Sequence, residues 1–229
     1  MCALPLSEGR EVEIALGATV LRGILGLVPA SASLVLFVHG SGSSRFSSRN
    51  RAVARDLQSR GLSTLLFDLL SPDEEHLDAM TAELRFDIGL LTERVIGTTE
   101  WLRQRPETAD LGMGYFGAST GAAAALQAAA HFTDQPDLVR AVVSRGGRPD
   151  LAMQALPLVV APTLLIVGGN DHAVIRMNQS ALTRLTAIKD LQIVPGASHL
   201  FEEPSALEQV SRLAGDWFLR YLVPPRSGG

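Results

Sequence analysis

A tight glycine-containing turn between an apolar run and an alanine-rich run constrains this chain more than any other feature. Gly112 to Phe116 is typical of a buried strand and Thr120 to His131 of a helix, and Gly117-Ala-Ser-Thr-Gly121 spans the junction. So short a connection forces the helix to begin beside the strand, which requires small residues where the two approach. Ser119 is therefore predicted to have a strained backbone and an exposed hydroxyl in front of a helix N-terminus, as an activated nucleophile does.

Two phosphate-binding interpretations of the glycines are rejected. Gly112, Gly114 and Gly117 match the dinucleotide-binding pattern, but that pattern must follow a strand, and here the polar stretch Arg103 to Asp110 precedes it. The loop His39-Gly-Ser-Gly42 lacks the Gly-Lys-Ser/Thr ending of a phosphate-cradling loop. We therefore expect no nucleotide, no cofactor and no metal.

Bulk properties favour one soluble domain. The 229 residues are 46% hydrophobic, which suits a single α/β domain over residues 1–229, with a frayed tail at 224–229. A net charge of −4 gives no electrostatic reason to bind nucleic acid or an anionic membrane. Cys2 is the only cysteine and lies at the terminus, so we expect no internal disulfide, no cysteine nucleophile and no cysteine metal cluster. The first residues lack the pattern of an export signal and no apolar run is long enough to span a membrane, so we expect a cytoplasmic protein.

Strand and helix patterns alternate along the chain. The predicted strands are 11–16, 19–28, 34–38, 63–68, 112–116, 138–144, 163–167 and 191–194. The predicted helices are 50–60, 84–103, 120–131, 176–188 and 206–222, with a short one near 150–156. This alternation predicts a mainly parallel, twisted sheet with helices on both faces. The segment between Ser144 and Thr163 is too short for a cap domain, so we expect a shallow and open pocket.

An acid and a base follow later strands. Asp171 comes just after the strand 163–167, and His199 comes just after 191–194. The carboxyl ends of parallel strands share one rim, so Ser119, Asp171 and His199 are expected to converge there as nucleophile, acid and base. The chain order Ser, Asp, His is the one expected for an α/β-hydrolase. Taken singly, each residue could instead be a helix cap or a structural side chain.

Asp150 is the competing acid, because it follows the preceding strand, 138–144. The other histidines are less suitable as the base. His172 is adjacent to Asp171, but its side chain is expected to diverge from it. The remaining three, which are expected to be structural or solvated, are His39, His76 and His131.

Two backbone donors are expected to form an oxyanion hole, which acyl transfer requires. The first is the N–H of Thr120 at the start of the helix. The second is the N–H of Ser41, since the glycines at 40 and 42 let the backbone pass close to a substrate. Arg145 and Arg148 leave a strand at the same rim and could bind a substrate carboxylate. Ion pairs of these arginines with Asp150 or Asp68 are the alternative.

These motifs resemble the α/β-hydrolase superfamily, and the small size without a cap resembles its dienelactone-hydrolase branch. Bacterial hydrolase domains of that branch, some of which are fused to phosphoribosyltransferases, have similar segments. The four similar segments in this chain are His39-Gly-Ser-Gly-Ser-Ser-Arg45, Arg85-Phe-Asp-Ile-Gly-Leu-Leu91, Gly114-Tyr-Phe-Gly-Ala-Ser-Thr-Gly-Ala122 and Ser144-Arg-Gly-Gly-Arg-Pro-Asp150. The likeness spans about Glu11 to Leu222. Dienelactone hydrolases proper use a cysteine at the turn, whereas this chain has Ser119, which favours general carboxylic-ester hydrolysis.

The resulting expectation is a cofactor-independent serine esterase that acts on short-chain esters or small lactones as a monomer or small homo-oligomer. Two alternatives remain at this point. One is an acyltransferase or related hydrolase with the same triad, and the other is a non-catalytic module that keeps the fold as a ligand pocket.

Overall fold

The computed structural model describes residues 9–222, in which strands and helices alternate. The strands are β1 (Arg10–Leu16), β2 (Thr19–Gly26), β3 (Ser33–Val38), β4 (Ser63–Phe67), β5 (Gly112–Ala118), β6 (Val139–Arg145), β7 (Thr163–Gly168) and β8 (Lys189–Val194). The helices are α1 (Ser48–Ser59), α2 (Pro72–Thr81), α3 (Ile88–Arg103), α4 (Thr120–His131), α5 (His172–Arg184) and α6 (Ala206–Tyr221). Cys2 and the predicted tail 224–229 lie outside the described residues.

All eight strands belong to one sheet in the order β1-β2-β4-β3-β5-β6-β7-β8. The six strands from β4 to β8 in this order pair in parallel, whereas β2 pairs antiparallel with β1 and with β4. The predicted mainly parallel sheet is confirmed. Because its parallel strands end at one edge, the loops after β3, β5, β6, β7 and β8 can approach one another there.

Alternate residues of the central strands pack into two cores, one on each face. In β3, Leu34, Leu36 and Val38 join the core that includes alanines of α4, while Val35 and Phe37 join the core beneath α1 and α6. A strand buried on both faces reads as a continuous apolar run, which is why β3 and β5 carry almost no polar side chains. The helices on both faces that the sequence predicts are therefore confirmed.

Helix α2 is the one long element that the sequence analysis missed. Its start carries a capping box, in which Ser71 accepts from the Glu74 N–H and Glu74 accepts from the Ser71 N–H. Its apolar residues do not mark a buried face, since Met80 is 74% exposed while the acidic Asp78 is 5% exposed. Hydrophobic periodicity therefore could not reveal this helix.

Other boundaries differ from the predicted ones because polar caps set them. Asp87 accepts a hydrogen bond from the Leu90 N–H at 3.0 Å, so α3 begins at Ile88. The residues Leu84–Phe86 form a separate 3-10 turn that precedes α3. Asp171 caps α5, which therefore begins at His172 rather than at Arg176.

The segment between β6 and β7 also differs from its predicted form. The predicted short helix at 150–156 is two 3-10 turns, Pro149–Ala152 and Leu156–Leu158. No cap domain is inserted in this segment, all of which is described.

Candidate active site

Ser119 has the strained backbone that the sequence predicts. Its φ is 50° and its ψ is −123°, between the end of β5 and the first residue of α4. Such a conformation is costly for a residue with a side chain and persists only where the surroundings enforce it. A Cβ at Gly117 would lie 2.5 Å from the Ala122 Cα, and one at Gly121 would collide with the His39 carbonyl oxygen. Glycine is therefore required at both positions for α4 to begin here.

The end of β6 and the residues that follow it hold the backbone of Ser119 on both sides. The Ser119 N–H donates to the Arg145 carbonyl at 3.2 Å, and the Ser119 carbonyl accepts from the Arg148 N–H at 3.0 Å. On the opposite side, a Cβ on Gly40 would lie 3.0 Å from the Ser119 Cβ, so the loop after β3 passes directly over the serine.

Asp171 and His199 form a hydrogen bond of 2.7 Å between Oδ2 and Nδ1. The other carboxylate oxygen, Oδ1, accepts from the Val174 N–H at 3.3 Å, so the cap of α5 fixes the acid. The Asp171 side chain is 15% exposed and the His199 side chain is 39% exposed. A carboxylate on Nδ1 selects the tautomer in which Nε2 carries the lone pair that a general base needs.

The segment after β6 lies next to both the histidine and the serine. A Cβ on Gly146 would lie 3.4 Å from His199 Cε1, and the preceding Arg145 carbonyl accepts from the Ser119 N–H. Within residues 9–222 no hydrogen bond joins Ser119 to His199. Without substrate, catalytic hydrogen bonds are often long and tighten only in the complex.

Asp150 and Arg148 bind each other. Arg148 Nε and Nη2 donate to the two Asp150 carboxylate oxygens, each at 2.8 Å, and this pairing raises the pKa of Arg148. The ion-pair alternative for Arg148 is thus the arrangement present. Asp150 contacts Arg148 and not His199, which leaves Asp171 as the acid that touches the imidazole.

Arg145 is buried with no acidic partner in residues 9–222. It is 9% exposed, and its guanidinium carbon lies 5.9 Å from the centre of the Phe116 ring. Burial, together with repulsion from Arg49, lowers the pKa of Arg145 to about 10. Its Nη1 has no hydrogen-bond partner among these residues, so a strong donor remains unused near the rim.

The two residues that the sequence predicts as oxyanion donors, Ser41 and Thr120, are in contact. The Ser41 N–H donates to the Thr120 hydroxyl at 3.0 Å. Thr120 is the first residue of α4, where a backbone N–H has no acceptor inside the helix. Both amides thus lie next to Ser119, although that of Ser41 already has a hydroxyl partner.

A pocket of about 140 Å³ lies between the loop at 39–43 and α2. Its remaining lining residues are Leu69, Leu70, Glu75, Asp78, Arg85 and Leu91. Desolvation and the nearby Asp68 raise the pKa of Glu75. Hydrophobic periodicity does not predict the side of this pocket that α2 forms with Glu75 and Asp78, although the capping box at Ser71 and Glu74 marks the start of that helix.

His39 fixes the loop that borders this pocket. Its Nε2 accepts from the Leu69 N–H at 3.2 Å, so Nδ1 carries the proton and donates to the Gly40 carbonyl at 2.9 Å. Burial lowers the pKa of His39. The neutral imidazole therefore has the structural role that the sequence analysis expected, and it holds Gly40 over Ser119.

Comparison with known proteins identifies the family. The model of the dienelactone hydrolase family matches residues 39–218, which is most of the chain and includes Ser119, Asp171 and His199. The chain belongs to the dienelactone hydrolase family. Membership indicates a hydrolase with a small-molecule substrate, and it confirms the resemblance found in the sequence.

A crystal structure of a dienelactone hydrolase from Anabaena variabilis is similar over nearly the whole chain. It is 56% identical, with a TM-score of 0.91 over 95% of this chain and 100% of that one. Est1E from Butyrivibrio proteoclasticus, at 15% identity and a TM-score of 0.76 over 93% of this chain and 98% of its own, shares the fold alone.

Curated relatives from two strains of Mycobacterium tuberculosis are longer. Each is 52% identical over 225 residues, and each is named a "putative phosphoribosyl transferase". The match covers 98% of this dienelactone hydrolase family member and 49% of each relative, so the chain spans about half the length of these proteins.

In residues 9–222 of this family member, none of the helices is both long and apolar enough to cross a membrane. The same residues contain no group of three or more His, Cys, Asp or Glu side chains placed to hold a metal ion.

The buried His39 predicts a loss of stability in acid. Its pKa is lowered in the folded protein, so the unfolded chain takes up a proton first as the pH falls. The free energy of unfolding should therefore decrease as the pH falls below about 6.5, until the folded His39 is protonated as well. Urea denaturation at pH 7.5 and 5.5 should show a larger loss for the wild type than for His39→Gln. The exposed His76→Gln is the matched control and should behave like the wild type. Equal losses in the wild type and His39→Gln would contradict this role.

Proposed function

We propose that the chain is a serine carboxylesterase that hydrolyses short-chain esters or small lactones through an acyl-enzyme. The observation that carries this proposal is the 2.7 Å hydrogen bond between Asp171 and His199. It lies at the same edge of the sheet as Ser119, whose backbone is strained, with a φ of 50°. A serine hydroxyl becomes a nucleophile when a base takes its proton, and the base needs a carboxylate to orient it.

In the proposed reaction the Ser119 Oγ attacks the ester carbonyl carbon while His199 Nε2 accepts the hydroxyl proton. Asp171 stabilises the imidazolium that forms. The tetrahedral intermediate collapses, and the alcohol leaves with the proton from His199. Water then attacks the acyl-enzyme with His199 again as the base, which releases the acid and restores Ser119.

The N–H groups of Thr120 and Ser41 are proposed to stabilise the oxyanion. Backbone donors held in place beforehand act strongly because they need little rearrangement during the reaction. His39 supports one side of this arrangement through its hydrogen bond to the Gly40 carbonyl. Upon binding, the oxyanion would replace the Thr120 hydroxyl as the acceptor of the Ser41 N–H, which is the contact that changes.

The name of the longer relatives does not displace this proposal. The matched half of those proteins corresponds to a hydrolase-family chain, so a transferase activity of the relatives can reside in the other half. An acyltransferase with the same triad is distinguished by whether the acyl group passes to an added alcohol in preference to water.

Ser119→Ala should lower kcat on p-nitrophenyl butyrate by at least about 10⁴-fold, because the nucleophile and base act as a unit. Circular dichroism should show that the fold is retained. The exposed Ser180→Ala on α5 is the matched serine control and should keep wild-type activity. Turnover above a tenth of the wild-type value in pure Ser119→Ala would rule out this nucleophile.

Asp171→Asn should lower kcat by about 10⁴-fold, because an amide at this position favours the wrong imidazole tautomer. Asparagine caps helices as well as aspartate does, so α5 should still begin at His172. Asp150→Asn is the matched control, and it should lose less than about tenfold because it breaks only a partly exposed ion pair. The reverse ranking in steady-state kinetics would move the acid to Asp150.

Activity should be highest on acetyl to butyryl esters and fall with longer acids. The adjacent pocket of about 140 Å³ is smaller than the roughly 300–1,000 Å³ typical of sites for drug-sized ligands. Long chains would remain partly solvated and gain little of the ~0.8 kcal/mol that full burial of a methylene supplies. A series of p-nitrophenyl esters tests this expectation, and fastest turnover on dodecanoyl esters would contradict it.

The same series, extended to acid-bearing esters, tests the two arginines. Since Arg148 is paired with Asp150, we propose Arg145 as the group that attracts a substrate carboxylate. Arg145→Ala should raise KM for acid-bearing esters and leave neutral ones almost unchanged, with Arg148→Ala as the control. Equal effects on both substrate types would refute carboxylate binding while leaving the esterase proposal intact.

A further inference from the structure

Asn178 is a fully buried amide on the helix that begins at the proposed acid. It lies seven residues after Asp171, which is two helical turns, so both residues are on the same face of α5. Asn178 is 0% exposed. Asparagine is a poor helix former, and a buried polar side chain gains nothing from burial itself. The stability of α5 therefore does not explain this residue.

The Asn178 amide nitrogen reaches out of its own helix. It donates to the Val174 carbonyl one turn earlier at 2.8 Å, and to the Gly147 carbonyl at 3.0 Å. Gly147 belongs to the short segment after β6, 31 residues away in sequence. The contact therefore joins α5 to the edge of the sheet next to Ser119.

The segment that Asn178 holds contacts both the serine and the histidine. Arg148, the next residue, donates its N–H to the Ser119 carbonyl at 3.0 Å. Gly146, the preceding residue, packs against the His199 ring. Its own N–H donates to the Ile166 carbonyl of β7 at 2.8 Å, which fixes one end of the segment. The hydrogen bond from Asn178 fixes the middle.

We propose that Asn178 is a positioning residue, an inference that rests on the proposed function. Through the Gly146–Arg148 segment, Asn178 fixes the positions of Ser119 and His199 relative to each other. Asp171 orients the histidine from the N-cap of α5, and Asn178, two turns further on, holds the segment that supports the serine. One rigid helix thus controls the distance between nucleophile and base. A small displacement of such a pair slows the chemical step more than it weakens substrate binding.

Two substitutions remove the contact in different ways. Asn178→Leu keeps the size but cannot donate a hydrogen bond. Asn178→Ser is shorter, and its hydroxyl can still donate to the Val174 carbonyl, as serine often does within helices, but cannot reach Gly147. Ala181→Gly is the matched control, because it weakens the same helix at a buried position and removes no hydrogen bond to the Gly146–Arg148 segment.

We expect both Asn178 variants to lose at least tenfold in kcat on p-nitrophenyl butyrate, with KM changed less than twofold. The rate of inactivation by a fluorophosphonate should fall by a similar factor, since it depends on the same attack by Ser119. Ala181→Gly should keep kcat within twofold at a temperature well below its melting point, even where its Tm falls as far as that of the Asn178 variants.

Retention of kcat within twofold by either folded Asn178 variant would overturn the inference, as would an equal loss in Ala181→Gly. Should Asn178→Leu fail to fold, Asn178→Ser decides alone. A wild-type protein that hydrolyses no ester and does not react with the fluorophosphonate would instead refute the proposed function, and this inference with it.

Discussion

The close approach of α4 to the end of β5 is the constraint on which the rest of the site depends. Gly121 lies against the His39 carbonyl and Gly117 against Ala122, so neither position has room for a Cβ. This contact leaves Ser119 in a strained conformation at the point where chain direction reverses. The strain is maintained because the sheet on one side and the apolar face of α4 on the other are both buried, so relaxation would expose core surface.

The surrounding loops extend this constraint into a site. The last residue of β6 binds the Ser119 N–H, and the segment after β6 binds the Ser119 carbonyl. The loop after β3 crosses above Ser119 and is held by the neutral His39. Helix α5 presents Asp171 to His199 from the next strand along the sheet. The proposed reaction needs two local changes: Ser119 must form its hydrogen bond with His199, and an oxyanion must replace the Thr120 hydroxyl as the acceptor of the Ser41 N–H.

Features encoded locally could be predicted from the sequence. Ser119, Asp171 and His199 each follow an apolar strand within a few residues, and the parallel topology then places them at one edge. Caps were harder to recognise. The sequence presents a helix cap and a partner of His199 as alternative roles for Asp171. The structure combines the two, because the cap of α5 and the contact with His199 use different oxygens of one carboxylate.

Features that depend on the folded conformation of the chain could not be predicted. The pairing of Arg148 with Asp150 was one of two open possibilities, and only the conformation of the 3-10 turn at 149–152 decides between them. Hydrophobic periodicity does not indicate helix α2, because polar contacts such as the ion pair of Asp78 with Arg85 attach this helix to the protein. Nothing near Asn178 in the sequence indicates that its partner is Gly147.

The most direct test of the central claim is the site of covalent modification by a fluorophosphonate. The wild-type protein should lose esterase activity in proportion to the incorporation of one phosphonyl group, and peptide mapping by mass spectrometry should place that group on Ser119. His199→Ala should react far more slowly, because it lacks the base. An adduct on another residue, or full esterase activity in protein phosphonylated at Ser119, would contradict the account.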